Sequence, residues 1–193
     1  MPTALTEIPR KRWTRAECAT LEPSGILDLE SLELVEGELI NRLGKKRPHV
    51  NSLTQVHAWL VQVFGYRFVN AHAPIDVAPE DNPTNEPVPD LIVLRQDQSH
   101  FTSNPRPQDL QLVVEIADPT LNFDLTVKAA LYARAGVSEY WVLDITGRRL
   151  LVHRNPRSGT YVDVAAYSEH ESVSPLAAPQ AQFRVADAFA TTA

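Results

Sequence analysis

The chain has 193 residues, 44% of them hydrophobic, one cysteine and a formal net charge of −6. That length can bury a sizeable core and that apolar content excludes wholesale disorder, while the lone Cys18 excludes an intramolecular disulfide and a Cys-rich zinc site. No apolar run approaches the roughly 20 residues of a bilayer span, and Met1 to Arg15 lacks the apolar centre of a signal peptide, so the expected location is cytoplasmic, with no membrane partner.

Residues 1–30 read as an N-terminal extension with a short helix over Thr14 to Leu21, ended by Pro23-Ser24-Gly25. Leu32 to Ile40 forms two short strands around Glu36-Gly37, which is a hairpin signal. From Val50 to Phe64 the apolar residues Leu53, Val56, Leu60, Val61 and Phe64 recur at helical spacing, and Gly65 closes the helix. An extended run, Tyr66 to Val77, follows. Ala78 to Pro89 carries four of the fifteen prolines and must be a loop. Strands are predicted at Asp90–Arg95 and Leu110–Ala117, then a helix over about Leu125 to Arg134 with Gly136 as its stop. Asp118 and Asp124 flank that connection as expected caps. Glu139 to Ile145, Arg149 to His153 and Tyr161 to Tyr167 are further strands, and Phe183 to Ala190 adds a strand and a short helix. The order predicts one α/β domain over residues 1–193, with a central mixed sheet flanked by helices and an N-terminal β-hairpin.

The most informative segment is Leu112-Val113-Val114-Glu115-Ile116-Ala117, an ionisable carboxylate inside an aliphatic, β-branched strand. A carboxylate there is costly unless a cation or several donors compensate it. Alternation puts Glu115 on the face of Val113 and Ala117. Asp90 stands at the mouth of a second apolar run, Leu91 to Leu94. If these strands are neighbours, the two acids converge at one sheet edge. An oxygen-rich site of that kind suits Mg²⁺ or Mn²⁺, with the Ile116 carbonyl as a third metal oxygen, and its chemistry would be phosphodiester hydrolysis.

These residues resemble the PD-(D/E)XK nuclease superfamily through Pro89-Asp90 and Glu115, and more closely its Uma2 branch of restriction-endonuclease-like proteins. The features that carry the likeness are Glu115-Ile116-Ala117-Asp118-Pro119-Thr120, then Asp124, Lys128, Tyr132, and Gly136-Val137-Ser138-Glu139-Tyr140-Trp141. Leu32-Glu33-Leu34-Val35-Glu36-Gly37-Glu38-Leu39 and His49 extend it, so that it spans about Leu32 to Phe189. The superfamily lysine two residues after the acidic strand position is Ala117 here; in the Uma2-like pattern Lys128, on the next helix, takes its place. The resemblance implies a metal-dependent DNA endonuclease with Asp90, Glu115, Lys128 and Glu33 as catalytic residues, acting as a homodimer because two antiparallel strands are most simply cut by a two-fold pair.

Acidic net charge opposes a nucleic-acid partner only weakly, because binding follows local patches. Basic residues cluster at Arg10-Lys11-Arg12 with Arg15, at Arg42 with Lys45-Lys46-Arg47, and at Arg148-Arg149 with Arg154 and Arg157. Each alone reads as a solvated loop or turn; beside His49, the residues Lys45, Lys46 and Arg47 are the DNA-contacting candidates. His49 and His57 stand about two helical turns apart, too far to share zinc. No Gly-rich phosphate loop occurs, so no nucleotide cofactor is expected. The chief rival is a catalytically silent nuclease-like module that binds nucleic acid or protein; another is a nuclease for RNA or for branched or damaged DNA.

Overall fold

Thr14 opens helix α1 (Arg15–Leu21): its side chain accepts from the Glu17 amide while the Glu17 carboxylate reaches back to the Thr14 amide, a reciprocal capping pair. The computed structural model describes residues 10–25, 28, 31–42 and 46–189. Strands β1 (Leu32–Val35) and β2 (Glu38–Asn41) make the expected hairpin, paired Val35 to Glu38. Its two-residue turn holds Glu36 at φ 51° and Gly37 at φ 73°, the doubly left-handed geometry that matches strand twist. Glycine is required for space as well, since a Cβ at Gly37 would stand 2.9 Å from the Arg12 Cβ.

Helix α2 (Arg47–Phe64) begins three residues before the predicted Val50, because Pro48 is tolerated in the first turn, where its missing N–H has no partner to lose. Of the extended run predicted over Tyr66–Val77, only β3 (Val69–Ala71) is a strand. Beyond it the backbone bonds to two different loops, Ile75 N–H to the Pro87 carbonyl and Asp76 N–H to that of Pro105, so no single strand can partner it.

Strands β4 (Leu91–Leu94) and β5 (Leu110–Ala117) follow as predicted, within a residue. The helix after β5 starts earlier than predicted and has an irregular middle: α3 (Leu121–Phe123), a π turn (Asp124–Lys128) and α4 (Ala129–Ala135), closed by Gly136 at φ 79°. Asp118 and Asp124 are not its caps. Thr120 occupies the N-cap, Asp118 accepts from the Thr146 hydroxyl, and Asp124 is buried inside the helix. Strands β6 (Glu139–Asp144), β7 (Arg149–Arg157) and β8 (Thr160–Ser168) complete the main sheet, and β9 (Ser172–Val173) pairs with β10 (Phe183–Arg184).

The main sheet runs β3-β4-β5-β6-β7-β8, antiparallel except for the β5–β6 pair, whose crossover is the 121–135 helix. Alternation divides β5 cleanly. Leu112, Val114 and Ile116 pack with Val56 and Leu60 of α2, where Trp59 lies over Trp141, while Val113 and Ala117 pack with Leu131 and Tyr132 of α4. Burying both faces of the sheet removes about 1.5–3 kcal/mol worth of apolar surface from water per large side chain. Glu115 lies on the α4 side of this layered core, on the face alternation predicts.

Candidate active site

The crossover helix must return over the sheet, and its packing brings a polar stripe onto the Glu115 face. Asp124, Lys128 and Tyr132 sit at four-residue steps and so share one helix face. Lys128 Nζ lies 2.9 Å from Glu115 Oε1, and the Tyr132 hydroxyl donates to the same oxygen at 3.2 Å. The hairpin closes the site from the other side: Glu33 Oε1 is 2.9 Å from Lys128 Nζ, while its Oε2 accepts the Val88 N–H at 3.1 Å. Lys128 ends the π turn and is buried over the strand.

Asp90 immediately precedes β4. Leu91 pairs with Val114, so Asp90 falls opposite Glu115, and its Oδ2 accepts the Ile116 N–H at 2.8 Å. The N–H and C=O of one strand residue leave on the same side, so the Ile116 carbonyl is turned toward the Asp90 edge as well. Ala117, one residue on, sends its carbonyl the other way, to the Ile145 N–H. Asp90 Oδ1 faces two imidazoles, His49 Nε2 at 3.4 Å and His72 Nδ1 at 3.6 Å. His49, in the first turn of α2, is 8% exposed, and its buried Nε2 has no hydrogen-bond partner among the described residues.

A cavity of about 180 Å³ opens above these groups, lined by Glu33, Asp90, Glu115, Asp124 and Lys128 on its floor and by Arg42, Lys46 and His49 along one wall. Arg47 is exposed at the start of α2 and is not part of the lining, while Lys45 lies outside the described residues.

Electrostatics follow from one amine among four buried acids. Burial pushes the Glu115 carboxyl up; Lys128 opposes this, while Asp124, Asp90 and Glu33 add to it. Burial likewise raises Asp124, to about 6, against the pull of Lys128 and a hydrogen bond from Thr120. For Lys128, burial alone would lower the ammonium, but Glu115, Glu33 and Asp124 together raise it, so it stays charged. Burial and the same acids raise the Tyr132 hydroxyl, keeping it a donor.

This is the donor chemistry a hard divalent cation takes. Acidic oxygen exceeds the one buried ammonium; among the described residues both hydrogen bonds to Glu115 fall on Oε1, so that Oε2 could serve a cation, and Asp90 Oδ1 and the Ile116 carbonyl lie on the same edge. Among the described residues no three acidic, imidazole or thiol groups form a ligand set by themselves. The fit is therefore to an ion that takes two carboxylates and a carbonyl and keeps much of its water, as Mg²⁺ does.

Sequence reasoning gave His72 no role and read Asp124 as a cap. The stripe 124-128-132 carried a signal for Asp124. None existed for His72, whose place depends on the β3–β4 register that sets Ala71 opposite Leu91.

A mixed sheet with a buried acid–lysine cluster where its central strands open is a nuclease-like α/β architecture. A crystal structure from Anabaena variabilis, described as a putative nuclease belonging to DUF820, superposes with a TM-score of 0.65 over 87% of this chain and 95% of that one, at 17% identity. At that identity the likeness is one of fold. No curated protein matches the sequence. The chain belongs to the Uma2 family, described as "Putative restriction endonuclease", whose profile matches residues 19–186.

Proposed function

We propose that the chain is a single nuclease-like domain that hydrolyses DNA phosphodiester bonds with Mg²⁺ or Mn²⁺, held by Asp90, Glu115 and the Ile116 carbonyl. The observation that carries this reading is the Asp90 Oδ2 to Ile116 N–H bond, which pins one acid beside the other and turns a carbonyl to their common edge. When bound, such an ion polarises a phosphoryl oxygen and lowers the pKa of a coordinated water.

The chain's own groups do the rest. Glu115 and Glu33 hold the Lys128 ammonium at the cavity floor, where it orients the attacking water and offsets charge building on the phosphate. Tyr132 fixes the Glu115 carboxylate by donating to Oε1. His49 Nε2, 3.4 Å from Asp90 Oδ1, stands beside the acids, and Lys46 and Arg47 add charge for the DNA backbone. The family's description supports a nucleic-acid substrate; the homodimer is proposed because a two-fold pair most simply addresses the two antiparallel strands of a duplex.

The test is supercoiled plasmid incubated with purified protein and Mg²⁺ or Mn²⁺. Nicked or linear product is expected, lost on chelation and in Glu115→Gln. Plasmid left intact with both ions, while an RNA and branched-DNA panel is also left intact, overturns the reading in favour of a silent binding module.

A further inference from the structure

The acids of the site stand at the bottom of their cavity. Glu115 is 4% exposed and Lys128 3%, so a phosphate reaches them only by entering a space of about 180 Å³. That is smaller than the roughly 300 Å³ at which drug-sized pockets begin, so it admits one unit of a chain and not two paired strands. Its lining is of two kinds. Arg42 and Lys46 lie where the chain passes from the hairpin to α2, whereas Ile40 of β2, with Pro119 and Phe123 from the start of the crossover connection, are apolar. Phe123 is half-buried: it packs on the α4-side core, lines the cavity and immediately precedes Asp124. A duplex presents phosphate and sugar along its backbone, which charged and polar groups hold. A phenyl ring beside the acids is instead the surface on which an unstacked base sits. Charge farther from the site is neutralised within the chain: Arg148 pairs with Glu169, Arg149 with Asp144, Arg154 with Glu139 and Arg67 with Asp97. Backbone charge is the general means of gripping a duplex, and these pairs weaken it here.

We propose that the cavity takes one unpaired nucleotide, its base against Phe123 and Pro119 and its phosphate over Asp90, Glu115 and Lys128, so that the substrate is DNA unpaired at the point of cutting. The inference rests on the nuclease reading and narrows its substrate. Phe123 becomes the specificity-determining residue. Every base has a face to stack, so the ring selects unpaired structure and not sequence. Negative supercoiling favours strand opening, so a closed plasmid supplies such segments, whereas the same plasmid in linear form keeps its strands paired away from its ends.

Binding tests this apart from cutting. In the Glu115→Gln background, which the nuclease reading makes inactive, fluorescence anisotropy with Mg²⁺ compares a short labelled single strand, the same sequence as a perfect duplex, and that duplex with one bulged nucleotide. The single strand and the bulged duplex are expected to bind about tenfold more tightly than the perfect duplex. Phe123→Leu keeps the apolar packing and removes the aromatic face. It is expected to lose that tenfold preference with its circular dichroism spectrum and perfect-duplex affinity unchanged, while Phe123→Trp retains the preference. Equal affinity for the three DNAs overturns the proposal, and so does a preference that Phe123→Leu leaves intact. If the preference holds but wild-type protein cuts none of these DNAs with Mg²⁺ or Mn²⁺, the nuclease reading falls and the unpaired-nucleotide site stands.

Discussion

Replacing Asp124 by Asn should stabilise the protein at alkaline pH and do nothing at acid pH. The carboxyl is 3% exposed, and burial lifts its pKa from the ordinary 3.8 to about 6. An acid whose folded pKa lies above its unfolded value favours folding while protonated. That contribution is complete below about pH 3.8 and is lost as pH rises through about 6. At about 1.4 kcal/mol per tenfold change in proton affinity, the ionised side chain costs about 3 kcal/mol above pH 7. Asn keeps an oxygen for the Thr120 hydroxyl and never ionises. With a urea m-value of about 2 kcal/mol/M for a domain of this size, the unfolding midpoint of Asp124→Asn at pH 8 should exceed that of wild type by about 1–1.5 M, with the gap closing toward pH 4. The assay is urea titration followed by tryptophan fluorescence at pH 8, 6 and 4. Equal midpoints at pH 8 would refute the reasoning, and a lower midpoint for the variant would show that ionised Asp124 is needed as a partner for Lys128.

Lys128→Met should have the opposite sign. It leaves Glu115 and Glu33 buried without their cation, a loss of about 3–5 kcal/mol at neutral pH that shrinks as pH falls and Glu115 protonates; denaturant titration at pH 8 and pH 5 measures both. Asp90→Asn should fold, because an amide oxygen can still accept the Ile116 N–H, yet release no heat with Mn²⁺ in titration calorimetry where wild type does. Gly37→Ala should lower the melting temperature, since a left-handed non-glycine residue costs about 1–2 kcal/mol and each kcal/mol is worth roughly 2–4 °C in a chain of this size; a thermal scan checks it.

The legible parts of this molecule were those set by local periodicity. A period of two along Leu112–Ala117 was enough to put Glu115 on the Val113 face, and Glu36-Gly37 between short apolar runs was enough to place the hairpin that delivers Glu33. What stayed hidden depended on tertiary context. A regular helix beginning near Leu125 would keep Lys128 in its first turn, whereas the observed helix starts four residues earlier and widens into a π turn over Asp124–Lys128. Capping propensity argued for an exposed Asp124, and tertiary packing overrode it by setting Asp124 on the same face as Lys128 and Tyr132. The same burial explains why the site holds more acid than its one ammonium can neutralise. Burial, helped by the neighbouring carboxylates that a hairpin, two strand ends and a helix gather, raises the proton affinity of Glu115 and Asp124, so these two are destabilising when ionised. Folding alone would favour fewer of them. Their retention around Lys128 is the arrangement expected where an incoming cation relieves the repulsion, so metal binding and stability should rise together: the urea midpoint of wild type should increase with Mg²⁺ or Mn²⁺, and that increase should vanish in Asp90→Asn.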